Sequence, residues 1–260
     1  MPILSERGYL IPAIDNMSTD YVRCAQQLAH SIRQFDPQAK IAVVTLDNLI
    51  DKDPVFDYAI PLPYGDQSTG DNKQCNDWQM FQASPFRQTI KLEADMIIAS
   101  SIGHWWEMMQ HRDVCISTGC RDYYNQPAQS RFYRKLFDAN NLPDVYNAIT
   151  YWRVSDTAKE FFKLVREIFE HWPEYRKLLK FADAEASTDV VYAMAAHIIG
   201  PAKCTMPFAS YPRIVHMKKH IINTRTDNWI RELVWENDPL RIQTVAQWGA
   251  VHYNIKDWQP

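Results

Sequence analysis

Short apolar runs alternate along the chain with longer stretches in which apolar residues recur at helical spacing, the pattern of strands joined by helices. Residues 8–14 (Gly-Tyr-Leu-Ile-Pro-Ala-Ile) read as a first buried strand, residues 15–18 as the turn after it, and Ser18 as a helix cap. Tyr21, Cys24, Ala25, Leu28, Ala29 and Ile32 then predict a helix, and residues 41–45 a second strand. With a third strand at residues 56–60, the chain opens as the β-α-β start of a nucleotide-binding sheet. It contains neither Gly-x-Gly-x-x-Gly nor a P-loop, so phosphates would have to be held by other groups.

Residues 61–73, rich in Pro, Gly, Asp and Ser, predict a long loop of the kind that covers an active site. A helix over 76–83 leads to a strand carrying Thr89, Ile90 and Leu92. Further on, residues 104–109 read as a short helix and 114–117 as a strand. A tight turn at Gly119 would deliver Arg121, Asp122 and Tyr123 towards a crevice, where a sugar or acceptor could be held. The segment 131–135 interleaves basic and aromatic residues, which on a loop can grip nucleic acid; at helical spacing it reads as one amphipathic helix, the preferred reading. Residues 145–152 predict another strand, and Thr157 with Glu160 a capping box. That box would open a helix whose inward stripe is Phe161, Leu164, Val165, Ile168 and Phe169. A further helix follows Asp189. The fold class expected is α/β: a single Rossmann-like domain with a mixed central sheet flanked by helices.

With 260 residues and 46% hydrophobic content, the chain can bury a sizeable core. A net charge of −3 gives no global attraction to nucleic acid or anionic membrane. No apolar stretch approaches membrane-spanning length, and the amino terminus has no signal-like pattern, so the expected location is the cytoplasm. The five cysteines are scattered and odd in number, which argues against a disulfide framework. No membrane association and no obligate protein partner is expected.

The candidate chemistry lies in Ser84-Pro-Phe-Arg-Gln-Thr-Ile-Lys-Leu-Glu-Ala-Asp-Met-Ile-Ile98, where an apolar strand runs into two carboxylates, Glu93 and Asp95. Open α/β sheets bind ligands at the carboxyl ends of their strands. On a regular strand, residues i and i+2 share a face, so both acids can point into one crevice. Such a pair can hold a hard divalent cation or divide into acid and base.

This stretch resembles the Asp-x-Asp region of GT-A glycosyltransferases, especially the glycogenin-like family, with Glu93 in place of the first aspartate. Its wording also looks like predicted glycosyltransferases of large tailed bacteriophages. The resemblance implies a GT-A-like domain over residues 1–260, with a nucleotide-binding part at about 1–100 and a sugar and acceptor part at about 101–260. It implies transfer of a sugar from a nucleotide-sugar, a UDP-sugar, with Mn²⁺ or Mg²⁺ and retention at the anomeric carbon. Asp95 would bind the metal; the family's first acid contacts the ribose or the metal's water shell, and Glu93 in its place would help Asp95 hold the metal. The ending Val251-His-Tyr-Asn-Ile-Lys-Asp-Trp258 is similar to the family's carboxyl-terminal motif, two residues shorter between His252 and Lys256. That similarity makes His252 a metal ligand, with His216 as the alternative, and Lys256 the cation that neutralises the diphosphate. Ala13, Ile14 and Asp15 would border the base and Tyr21 pack near it, with Ser31 at the family's spacing from Tyr21. Lys73 would reach the phosphates. Asn147 matches the asparagine beside the donor sugar, although Ala148 and Ile149 depart from the family's Ser-Gly, and Asp189 would contact the sugar near the reacting carbon. The acceptor is open, one candidate being a hydroxymethylated or already glycosylated base in phage DNA. Two other classes stay in view: nucleotidyl transfer, and a non-catalytic module that binds a nucleotide-sugar.

Overall fold

The apolar runs of the first half pair into one sheet. In a computed structural model the described residues are 2–46, 54–128, 134–182, 184–206, 212, 214–226, 231–238, 241–247 and 249–256. Strand β1 (Ser5–Pro12), helix α1 (Tyr21–Phe35), β2 (Ile41–Thr45) and β3 (Tyr58–Pro61) form the opening β-α-β unit. A 3₁₀ turn (Gln74–Gln79) and the single turn α2 (Met80–Ala83) lead into β4 (Phe86–Leu92). The chain continues through β5 (Met96–Ile98), α3 (His104–Met109), β6 (Val114–Thr118), β7 (Arg121–Asp122), α4 (Arg134–Ala139) and β8 (Val145–Arg153). Four helices follow: α5 (Asp156–Glu170), α6 (Trp172–Leu178), α7 (Thr188–Ile199) and α8 (Pro201–Cys204). The last strands are β9 (Ile214–Met217), β10 (Ile221–Thr226), β11 (Arg231–Asp238), β12 (Arg241–Gln247) and β13 (Ala250–Tyr253).

The central sheet has the order β3-β2-β1-β4-β8-β6. Its first four strands are parallel, and β8 runs antiparallel to both β4 and β6, so the sheet is mixed as expected. Alternate residues feed two cores. Tyr9, Ile11, Val43, Ile90 and Leu92 pack with the apolar face of α1. Leu10, Ala42, Val44 and Phe86 pack with α5 and α7 on the other side. Covering both faces is what lets these strands be continuously apolar. Gly8 leaves room for a side chain of the neighbouring strand: a Cβ there would lie 2.3 Å from the Phe86 ring. A second sheet, β5-β13-β9-β7, adjoins the carboxyl end of β4, and β10-β11-β12 form a separate antiparallel ribbon.

Several boundaries differ from the sequence reading. The first strand ends at Pro12 rather than Ile14, and α1 is capped by Asp20, whose Oδ1 accepts from the Arg23 N–H at 2.7 Å; Ser18 instead belongs to the turn built on the Asn16 side chain. Helix α5 is capped two residues before the expected capping box, because Ser155 is the residue whose hydroxyl accepts from the Ala158 N–H. The expected helix over 76–83 is 3₁₀ in its first half and a single α turn in its second, with the Asn76 and Gln79 amides turned to the preceding loop. The predicted helix at 131–135 falls partly outside the described residues, which take it up at Arg134. All five cysteines are free, four of them buried. No helix among the described residues is long and apolar enough to cross a membrane.

Candidate metal centre

Residues 93–95 link two sheets: β4 leaves the central sheet at Leu92, and β5 enters the second sheet at Met96. The link is clamped from both sides. The Glu93 N–H donates to the Ala148 carbonyl, and the Tyr253 N–H donates to the Asp95 carbonyl, both at 3.1 Å. Met96 stands in register opposite His252. The two carboxylates therefore converge because a turn is pinned between β8 and β13, and not through the strand alternation expected from the sequence.

The His252 Nε2 lies 3.1 Å from Asp95 Oδ1 and 3.4 Å from Glu93 Oε2. One ligand atom from each of the three residues lies within 4.8 Å of the others. Lys256 Nζ stands 2.9 Å from Asp95 Oδ2, donates to the Tyr21 hydroxyl at 2.7 Å, and lies 4.4 Å above the Tyr21 ring. Burial opposes ionisation of Asp95, but His252 and Lys256 outweigh it and hold the carboxyl well below the usual carboxylate range. Burial likewise opposes charge on His252, yet Asp95 and Glu93 raise the imidazole above its ordinary value. Glu93 moves upward, raised by burial and Asp95 against the pull of His252. The site thus concentrates negative charge that the chain's own cations offset. Two carboxylates and an imidazole are a donor set suited to Mn²⁺, with Mg²⁺ served by the oxygens. The residues present fit such an ion.

These groups form one wall of a cavity of about 750 Å³, a size typical of small-ligand sites. It opens between the carboxyl ends of β1 and β4, where the order of connection reverses, the usual ligand position in such sheets. Pro12 and Ile14 line it from the end of β1, and Tyr21 from the start of α1. The loop ahead of the 3₁₀ turn lines it through Asp71, Asn72 and Lys73 and is strapped to neighbouring segments. Asp71 Oδ1 accepts from the Met17 N–H at 2.7 Å, Asn72 Nδ2 donates to Glu185 at 2.7 Å, and Gln74 Oε1 accepts from the Thr188 N–H at 3.3 Å.

The structure separates the sequence candidates. Glu93, Asp95, His252, Lys256, Tyr21 and Ile14 meet at the cavity. Lys73 also lines it, with its Nζ held inside the strap by Asp66 (2.8 Å), Ser68 (2.8 Å) and the Gly70 carbonyl (3.1 Å). Ala13 is fully buried in the core beneath α1, and Asp15 accepts from the Val22 N–H in the first turn of that helix at 3.0 Å. Ser31 ties α1 to β5, its Oγ accepting from the Ile98 N–H at 2.9 Å. Asn147 and Asp189 lie behind the cavity wall, where Asp189 Oδ1 accepts from the Asn147 N–H at 2.7 Å. His216 stacks on His252 with ring centres 5.6 Å apart, but its Nε2 meets Asn254 Oδ1 at 3.0 Å and lies outside the ligand cluster. Arg121 and Asp122 form the short edge strand β7, and Tyr123 packs against Trp235; none lines this cavity.

Sequence reasoning missed a buried ion pair behind the wall. Lys91 Nζ donates to both oxygens of Asp77 (2.8 and 2.9 Å) and to Asn147 Oδ1 (3.0 Å), while the Tyr192 hydroxyl also donates to Asp77. Lys91 is completely buried, and Asp77 reaches the cavity lining. A lysine inside the run Thr-Ile-Lys-Leu was the available signal, because a charge in a buried strand needs a partner.

No protein-family model matches the sequence, and no curated protein sequence is significantly similar to it. Glycosyltransferases are among the solved structures to which the chain is similar. An active-site mutant of LgtC aligns over 95% of this chain and 86% of its own, at 14% identity and a TM-score of 0.48. The galactosyltransferase LgtC with donor and acceptor sugar analogues aligns over 72% and 70%, at 13% identity and 0.46. Mouse xyloside xylosyltransferase 1 aligns over 79% and 85%, at 11% identity and 0.48.

Proposed function

We propose that this chain is a metal-dependent glycosyltransferase that moves a sugar from a UDP-sugar to an acceptor hydroxyl. The observation that carries the reading is the convergence of Glu93, Asp95 and His252 beside Lys256, at the carboxyl ends of β1 and β4 and on the wall of a cavity large enough for a nucleotide-sugar. Asp95, His252 and Glu93 would hold Mn²⁺ or Mg²⁺, which when bound neutralises the diphosphate. Lys256 would turn from Asp95 to the departing phosphate, supplying charge where the transition state gains it. Tyr21 and Ile14 would pack near the base, and Lys73 would face the phosphates if it left Asp66.

In the reaction the bond from the anomeric carbon to the diphosphate oxygen breaks with its electron pair, and the acceptor oxygen takes its place on that carbon. The acceptor's proton leaves to the departing phosphate oxygen, on the same face, with retention. Residues 1–100 would carry most of the nucleotide contacts and residues 101–260 the sugar and acceptor contacts, in a cytoplasmic setting, the host's if the chain is phage-encoded. Asn147 and Asp189 would shape the sugar compartment from behind its wall. Modified bases in phage DNA are the first acceptors to try.

Isothermal titration of UDP with and without Mn²⁺ tests the reading on the native chain and on Asp95→Ala. Metal-dependent binding that the substitution abolishes is the expected result; binding indifferent to both metal and Asp95 sinks it. The sealed position of Asn147, whose amide is engaged by Lys91 and Thr150, favours a non-catalytic binding module as the second reading. Release of UDP with turnover separates the transferase from that module, and release of pyrophosphate would indicate nucleotidyl transfer.

A further inference from the structure

We propose that Tyr146 is a positioning residue that fixes how His252 offers its nitrogen to a divalent cation, an inference that rests on the metal reading of the Glu93, Asp95 and His252 cluster. The argument starts from the two edges of the imidazole. Its Nε2 faces both carboxylates, at 3.1 and 3.4 Å. Its Nδ1 faces away from them and meets the hydroxyl of Tyr146 in a close hydrogen bond. An imidazole that binds a cation through Nε2 must carry its proton on Nδ1, so the phenolic oxygen of Tyr146 is the acceptor for that N–H.

The ring is also held on its face. His216, opposite His252 in the register of β9 and β13, stacks on it at 15°. The Tyr146 ring leans against both histidines, with centroids 5.7 Å from His252 and 5.6 Å from His216. Stacking alone would leave His252 free to turn in its plane; a hydrogen bond at Nδ1 removes that freedom. Partners of this kind keep a metal-binding histidine in one tautomer and one orientation.

Tyr146 is 6% exposed, and burying a phenolic hydroxyl is costly unless it is bonded. Phenylalanine would fill the same volume without that demand. A tyrosine in this place has a cost in packing terms that a role at His252 accounts for. A merely structural hydroxyl, satisfied by the nearest ring nitrogen, makes a different forecast: its loss would lower stability and leave the cation site unchanged.

The test is Mn²⁺ binding, with no donor present, to four proteins: the native chain, Tyr146→Phe, His252→Gln and the double variant. Melting temperature is measured without metal in the same samples. Tyr146→Phe is expected to weaken Mn²⁺ binding by roughly 10- to 100-fold with little change in the metal-free melting temperature. In the His252→Gln background, the same change should have almost no effect, because Tyr146 acts through the ring that is gone. Mn²⁺ affinity within about twofold of native in Tyr146→Phe, or an equal loss with and without His252, overturns the proposal. Failure of the native chain to bind Mn²⁺ at all overturns the metal reading and the proposal together, and is distinct from a Tyr146→Phe variant that binds as tightly as native.

Discussion

Lys91 holds its charge in a strand with no access to solvent, and the neighbourhood is arranged to make that tolerable. Asp77 takes two of its hydrogen bonds, Asn147 takes a third, and the Tyr192 ring lies 5.2 Å beneath the ammonium. Removing one member of such a pair leaves the other charge buried and uncompensated, at a cost of about 3–5 kcal/mol, whereas removing both can be nearly neutral. Lys91→Met should therefore destabilise the protein by about that amount in urea unfolding, and Lys91→Met with Asp77→Leu should recover most of the loss. A single substitution costing less than about 1 kcal/mol, or a double no better than the single, would show that the ion pair is not what holds this wall. The lysine was visible in the sequence as a charge in an apolar strand. Its partner was not, because Asp77 arrives fourteen residues earlier on a 3₁₀ turn whose position depends on the loop before it.

At the scale of elements, the strap that lines the cavity is organised by one acid. Asp66 accepts from Lys73, Asn76 and the Ser68 N–H, and although burial opposes its ionisation, these bonds hold its carboxyl well below the usual carboxylate range. A depressed folded value means that the stabilisation is fully present above the unfolded value, about 3.9 for aspartate, and is lost as pH falls through the folded one. Asp66→Asn should then unfold more easily than the native chain at pH 7, by about 0.5–1 kcal/mol, since solvent screens this exposed residue. The gap in melting temperature should narrow as the pH is lowered beneath about 4. A gap that stays constant across that range would remove Asp66 as the cause. Most strands and the long helices could be read from periodicity, since strand alternation and helical spacing are local properties. The caps could not, because Asp20 and Ser155 compete with nearby residues of equal capping chemistry, and the chain's path into each helix decides between them.

For the molecule as a whole, the cavity gathers the end of β1, the start of α1, the link between β4 and β5, the strap, the approach to α7 and the carboxyl-terminal strand. A cation and nucleotide bound there would tie these segments together. Saturation a hundredfold above Kd adds about 2.7 kcal/mol of stability, which for a chain of this size is a rise of about 5–10 °C in Tm. Mn²⁺ with UDP should give such a rise in the native chain, a chelator should reverse it, and Asp95→Ala should show none. An equal rise in Asp95→Ala would place the ligand elsewhere.

What the sequence determined by itself is what depends on neighbours along the chain: alternating strands and helices, a mixed α/β sheet, and two carboxylates at the end of a central strand. The tertiary structure decided which partners they meet. Glu93 and Asp95 face His252 rather than His216 because β13, and not β9, pairs directly with β5. Asn147 is sealed behind Asp77 because Lys91 draws both into one buried network. Both outcomes depend on pairing between segments far apart in the chain, and no local pattern encodes which strand will lie beside which.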